Sequence, residues 1–313
     1  MLCKIVIASL LGWMALANAQ TPSSSAPLKL IVPFPPGDGL ESAARVLGEL
    51  VAKDLDTVVV IDNKVGASGA VAAEAVVRAN DSRTLLVGTT AIMGITPFLR
   101  TVPYSPADLE PIAKFAHISA VMAIRNEIPA KNWAEFVALA KANPKKFTYA
   151  TPGEGTLTHL SVEALSRNAG IEMLAVPYKG MAPALQDFLG GRLDFYTEPA
   201  VVPSVKSGKA RALAVNSDKR LAELPDVPTY TEAGIRAAST PWIGLLSTKA
   251  MPAEQRRQVA AAVKRAVESP EFLSKLPTGI GPAYGSSADF AKQIQSEQAY
   301  YKDLIKTLNL KVE

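Results

Sequence analysis

Cysteine is almost absent from this chain of 313 residues: the single one, Cys3, stands at its extreme N-terminus. A lone thiol excludes a disulfide framework and any cysteine-based metal cluster. Histidine is nearly as scarce. His117 and His159 are the two present, and neither stands beside an acidic or cysteine cluster at ligand spacing, so a zinc or iron site has little to be built from. No Gly-x-Ser-x-Gly elbow and no Gly-x-x-x-x-Gly-Lys loop occurs, and no catalytic triad can be assembled. An enzyme is therefore not expected, nor a metal or cofactor. Basic residues lie scattered among acidic ones, which leaves no footprint for nucleic acid.

Long apolar runs are also missing, apart from residues 5–16. That run follows Lys4, is short for a membrane span, and is succeeded by Ala17-Asn18-Ala19, a small-x-small cleavage pattern. Residues 1–19 read as an export signal cleaved near Ala19, with an uncleaved anchor as the alternative; Cys3 leaves with it. The formal charge falls from +4 to +3 as Lys4 is removed. Roughly 290 residues remain, more than one core usually serves, so two lobes are expected. With 48% hydrophobic and 20% charged residues, the composition is ordinary for a globular protein.

What is present is an alternation of strands and helices. Residues 28–32 read as a buried strand, Ala43, Val46, Leu47, Leu50 and Val51 recur at helical spacing, and residues 58–61 form a second strand. Glycines punctuate residues 66–69 before an alanine-rich helix over 70–79 and a strand at 85–88. Such a β-α-β-α-β run demands a mostly parallel sheet flanked by helices. A second series follows Ile124. Asn132 and Glu135 open a helix, strands are expected at 147–150, 174–176, 193–196 and 212–215, and helices near 158–168 and 181–189. After a strand at 242–246, two helices finish the chain, one begun by Pro252 and one near Ser287. Those helices need a sheet to cover, which sends the C-terminal segment back to the first unit. The expected lobes are residues 26–118 plus 243–313, and 119–242, joined by two crossing strands with a ligand between them. Trp133 and Trp242 fit core and hinge packing.

Two strands run directly into glycine-rich turns that open helices. One continues through Pro33-Phe34-Pro35-Pro36-Gly37-Asp38-Gly39, the other through Thr151-Pro152-Gly153-Glu154-Gly155-Thr156. Turns of this kind present backbone N–H groups at a helix N-terminus and suit an anionic or strongly polar solute. Gly37-Asp38-Gly39 with Asp62 superficially matches a dinucleotide fingerprint, but Ser42 stands where the third glycine belongs and Asp38 would repel pyrophosphate. His159 either touches the ligand or bonds its own neighbours.

Several stretches, in order along nearly the whole chain, resemble one receptor family. They are Val32-Pro33-Phe34-Pro35-Pro36-Gly37; Asp62-Asn63 with Gly66-Ala67-Ser68-Gly69; Tyr149-Ala150 leading to Gly153-x-Gly155-Thr156 and His159-Leu160; Val176-Pro177-Tyr178-Lys179-Gly180 with Ala182-Pro183-Ala184-Leu185; Gly190-Gly191-Arg192-Leu193-Asp194; and Leu224-Pro225-Asp226-Val227-Pro228-Thr229. Together they resemble the Bug-type extracytoplasmic solute receptors of tripartite tricarboxylate transporters. The resemblance implies an α/β, two-lobed periplasmic binding protein of type II, the Venus-flytrap kind. Such a receptor, expected here as a monomer, closes on a small carboxylate and delivers it to a membrane permease. A receptor that docks a signalling partner, or a secreted hydrolase, is the alternative. Carried onto this chain, the binding loops are Pro35, Pro36, Gly37, Asp38, Gly39, Leu40 and Glu41, and Gly153, Glu154, Gly155 and Thr156, with Thr89, Thr90, Tyr178 and Glu198 as wall residues.

The sequence departs from the family pattern at Asp38, Leu40, Glu41 and Glu154, where a glycine, threonine, aspartate and asparagine are usual. Two added carboxylates beside an anion seat would oppose a dicarboxylate by a few kcal/mol for each close like-charge pair at effective ε near ~20. This favours a ligand of reduced charge: an amide, a zwitterion or an aromatic monocarboxylate. In the other reading, Asp38 and Glu154 face solvent or cap their own helices. Lys179 is either an orienting cation or a solvated turn residue.

Overall fold

The structure is a computed structural model that describes residues 26–236 and 240–310. The expected signal at residues 1–19, with Cys3 and its cleavage site, lies outside the described residues.

The first sheet grows where β-branched and leucine-rich segments alternate with amphipathic helices. Strand β1 (Leu28–Val32) leads through the proline-rich turn to helix α1 (Gly39–Asp54), then β2 (Val59–Asn63), α2 (Ala70–Ala79) and β3 (Thr84–Thr89). A π-helical turn (Ala91–Ile95) runs into the short α3 (Thr96–Leu99), and β4 (Glu110–Ile118) follows. After Ser119 alone, β5 (Ala120–Ile124) begins the second sheet, which continues with α4 (Trp133–Ala142), β6 (Thr148–Thr151), α5 (Leu157–Ala169) and β7 (Leu174–Pro177). Helix α6 (Met181–Leu189), β8 (Phe195–Thr197), α7 (Val202–Lys206) and β9 (Arg211–Asn216) complete that unit. The chain then returns with β10 (Trp242–Ser247), α8 (Ala253–Val267), α9 (Pro270–Lys275), β11 (Ile280–Gly285) and α10 (Ser287–Thr307).

The strand orders are β11-β4-β10-β3-β1-β2 and β7-β6-β8-β5-β9. Each sheet is mixed, which corrects the expectation of mostly parallel sheets. β1 pairs parallel with β2 and β3, and β6 with β7 and β8, whereas β4, β10 and β11 pair antiparallel, as do β5, β8 and β9 where they meet. The cause is the double crossing. The chain leaves the first sheet along β4 and returns along β10, its neighbour, so the two must run in opposite senses; β5 and β9 repeat this in the second sheet. β4, β5 and β11 were not among the expected strands.

Both faces of the first sheet are covered. Leu30, Leu47, Phe115, Val263 and Phe272 belong to one core, and Ile31, Val76, Leu86, Trp242 and Phe290 to the other. The second sheet has its own pair of cores, with Trp133, Phe136, Tyr149 and Phe195 on one face and Phe188, Tyr196 and Val215 on the other. α8 and α10 both pack on β4. Helix α10 reaches further: Tyr301, Leu304 and Ile305 bury together with Ile95 and Leu99 of the first unit and with Leu160 and Ala164 on α5 of the second. A fifth cluster therefore seams the two units at one side of the cleft. No helix among the described residues is long and apolar enough to cross a membrane.

Candidate functional site

A cavity of about 390 Å³ opens between the two units, within the size range of small-molecule sites. From the first unit come Pro33 and Phe34 after β1, Val65 and the turn of Gly66, Ala67, Ser68 and Gly69 after β2, and Thr89 at the end of β3 with the π-turn beyond it. From the second unit come Glu154, Gly155, Thr156, Leu157 and Thr158, the loop after β6 and the start of α5. All of these lie at strand carboxyl ends, where α/β sheets hold ligands.

The sequence-expected residues divide. Thr89, Glu154, Gly155 and Thr156 line this cavity together. Pro35, Pro36, Gly37, Asp38, Gly39, Leu40 and Glu41 do not line it, although Pro33 and Phe34 just before them do. The N–H groups of Gly37, Asp38 and Leu40 are engaged at home. The Asp38 carboxylate accepts from the Leu40 N–H at 2.8 Å and caps α1, and the Gly37 N–H points at Glu41 Oε2 from 3.4 Å. Glu41 is itself buried and pairs with Arg45. Of the two readings of Asp38, the structure shows the helix cap.

The second turn is organised in the same manner. Gly153 N–H donates to Thr151 Oγ1 at 3.2 Å, and Gly155 N–H to His159 Nδ1 at 3.1 Å, while Thr156 caps α5 by accepting from the His159 N–H. His159 therefore bonds its own loop. An Nδ1 that accepts must be unprotonated, and burial, the largest influence, holds the imidazole below its ordinary value. The first-turn N–H groups of Leu157 and Thr158 at the cavity wall make no helical bond, as is usual at an N-terminus.

Three other expected wall residues stand elsewhere. Thr90 is fully buried, and its hydroxyl accepts from the Trp242 N–H at 3.4 Å, so it faces the core beside β10. The Tyr178 hydroxyl donates to Asp187 at 2.9 Å, and the ring packs with the second unit's core. Glu198 accepts from the Thr158 hydroxyl at 2.8 Å and lines a smaller inner cavity of about 120 Å³ beside the crossing residues Ile118, Asn216 and Pro241. Burial pushes Glu198 above the ordinary carboxylate range, and the Thr158 bond only partly opposes this. Thr158 lines both cavities, so Glu198 sits one side chain behind the main wall. Lys179 is exposed and not part of either wall.

Sequence reasoning missed two contributors. Gly66, Ala67, Ser68 and Gly69 all have positive φ, at 144°, 46°, 53° and 90°, so two non-glycine residues are held in the left-handed region. Strain of that kind persists only where surroundings fix it. Arg100 also lines the cavity, and nothing in its local sequence marks it out.

A receptor of this architecture has known relatives. Residues 43–310 match the tripartite tricarboxylate transporter family receptor model. The chain belongs to that family. Protein BugT of Bordetella pertussis is 32% identical over 231 residues, 71% of each chain. A solute-binding protein of this family from Polaromonas, solved without ligand, superposes with a TM-score of 0.81 at 29% identity, covering 91% of this chain and 99% of that one. An R. palustris protein solved with adipate superposes with a TM-score of 0.74 at 29% identity, covering 91% and 98%. This Bug-type receptor is a periplasmic solute-binding protein by family.

Proposed function

We propose that this receptor holds a small carboxylate or related polar metabolite in the cavity between its lobes and hands it, unchanged, to a tripartite permease. The observation that carries this reading is the cavity itself, whose wall is made in part by the loop after β1's sheet neighbours and in part by the start of α5. A ligand touching both walls favours the closed arrangement by its differential contacts. The lobes are residues 26–118 with 243–313, and 119–242, a division supported by the way the strands sort into two sheets. Thr89, Glu154, Gly155 and Thr156 contact the solute directly. The loop from residue 35 to 41 and Tyr178 approach it on closure, since Pro33 and Phe34 already border the cavity. The chain is exported with cleavage near Ala19, acts as a monomer, and performs no catalysis.

Native mass spectrometry of freshly purified mature protein tests this. The expected result is a bound small acid or amide that leaves with unaltered mass on denaturation. If no solute is carried and no small carboxylate or amide raises the melting temperature, the receptor reading of this cavity fails.

A further inference from the structure

Two charged side chains line the main cavity, and they have opposite sign: Arg100 on the first lobe and Glu154 on the second. Among the described residues neither forms a hydrogen bond or an ion pair, with each other or with anything else. A guanidinium left without a carboxylate at a cleft wall is poised for one from outside, because its planar fork matches that group. We infer that the cavity is bipolar and selects a linear solute with a carboxylate at one end and an ammonium at the other, an ω-amino acid, over the equivalent dicarboxylate. This inference rests on the receptor reading above and names its ligand class.

The first-lobe end has the character of a carboxylate seat. The turn at residues 66–69 leads into the ten-residue helix α2; the Ala70 N–H donates to the Ala67 carbonyl, and the N-cap, Gly69, offers no side-chain cap to the first-turn N–H groups beyond it. Thr89, only 6% exposed, lines the same cavity, and its hydroxyl has no hydrogen-bond partner among the described residues. A hydroxyl with no protein partner at the cavity wall is free to bond a ligand. Arg100 stands where the cavity meets an outer groove that carries Lys302 and Lys306 and no acidic residue. Positive potential thus lies on this side alone, and a carboxylate entering from the groove meets it first.

The main cavity's lining holds the apolar side chains of Ile92, Ile95, Leu99 and Leu157 and no third charged residue, which suits a methylene chain and no further charge. On the second-lobe wall stands Glu154, in the turn before α5, unencumbered by Asp38, whose carboxylate is spent on its own helix. An ammonium there is attracted; a second carboxylate is repelled. Because Glu154 is exposed, the expected discrimination is moderate, about tenfold.

The test uses isothermal titration of the mature protein, stripped of solute by denaturation and refolding, with two series matched in chain length. One runs from β-alanine to 6-aminohexanoate, the other from malonate to adipate. At the best-fitting length the amino acid is expected to bind about tenfold more tightly than the diacid. Glu154→Gln is expected to erase that preference, weakening the amino acids and strengthening the diacids, and Arg100→Gln to weaken both series about tenfold or more, while circular dichroism stays native. The inference is overturned if the diacids bind more tightly to the wild type, if Arg100→Gln leaves affinity unchanged, or if neither series binds. Diacid preference leaves the receptor reading standing, as does a solute retained in native mass spectrometry. Absence of both takes the receptor reading down as well.

Discussion

The indole N–H of Trp242 donates to the carboxylate of Glu297 at 2.7 Å, tying the first residue of β10 to the middle of the last helix. Glu297 is 3% exposed and accepts a second bond from Gln293 at 2.8 Å, and Phe290 meets the indole edge-on with centroids 4.6 Å apart. The strand that returns from the second lobe is thereby fastened to the helix that seams both lobes. Trp242→Phe keeps an aromatic ring but withdraws one donor from a buried carboxylate. Unfolding stability should fall by about 2 kcal/mol in urea at neutral pH; a change within ~0.5 kcal/mol would mean that this bond contributes little.

Asp38 and Glu154 carry the same charge and have different work. Asp38→Ala removes the cap of α1, and thermal or chemical denaturation should register a loss of about 1 kcal/mol. Solute preference should stay as in the wild type. A shift in preference with intact stability would show that the Asp38 carboxylate itself meets the solute when its loop approaches.

The turn at residues 66–69 is tightly fixed. A Cβ added at Gly69 would lie 2.5 Å from the Ile92 side chain, at a φ of +90° that L residues rarely adopt. Gly69→Ala should therefore destabilise by about 2 kcal/mol or more and weaken solute binding together with it. Ala67→Gly, at a φ of 46°, should instead leave stability unchanged or raise it by up to about 1 kcal/mol. Urea titration of both variants separates relief of strain from crowding; a clear loss for Gly69→Ala with none for Ala67→Gly is the expected result.

Glu198 gives a pH signature. Burial raises it above the ordinary value of 4.5, so the folded protein holds this proton more firmly than the unfolded chain does. Its contribution is then full below that value and is lost as pH rises through the folded one. Glu198→Gln, which keeps an acceptor for Thr158, should raise the melting temperature by a few degrees at pH 8 and change it little near pH 4. The same increment at both pH values would show that ionisation is not the cause.

Much of the architecture was legible because periodicity is a local property. The helix expected over 70–79 is α2, and the strand expected over 28–32 is β1. β4, β5 and β11 escaped for physical reasons. β4 carries Pro111, Lys114 and His117 within its length, and β11 is half-buried throughout with Gly281, Pro282 and Gly285, as suits an edge strand. At the site, sequence located the strand ends that matter but not where their side chains turn. Gly37 and Gly155 do stand in turns with positive φ, yet Glu41 and His159 take their N–H groups. A carboxylate beside a turn reads alike whether it greets a solute or caps its own helix. Arg100 was invisible because an arginine lining a cleft and a solvated one share the same neighbours in sequence; residues 66–69 were visible as punctuation and as a family stretch, but not as a wall of the cavity.

The place of β10 between β3 and β4 bears on how the molecule comes into being. A nascent polypeptide that has progressed as far as residue 236 already contains β3 and β4, but the slot separating them stays vacant until Trp242–Ser247 has emerged. Until then two ladder edges lie bare, and half of the solute's enclosure has no settled backing. The earliest-made wall of the cleft is completed by some of the last-made residues, so assembly must wait for nearly the entire chain.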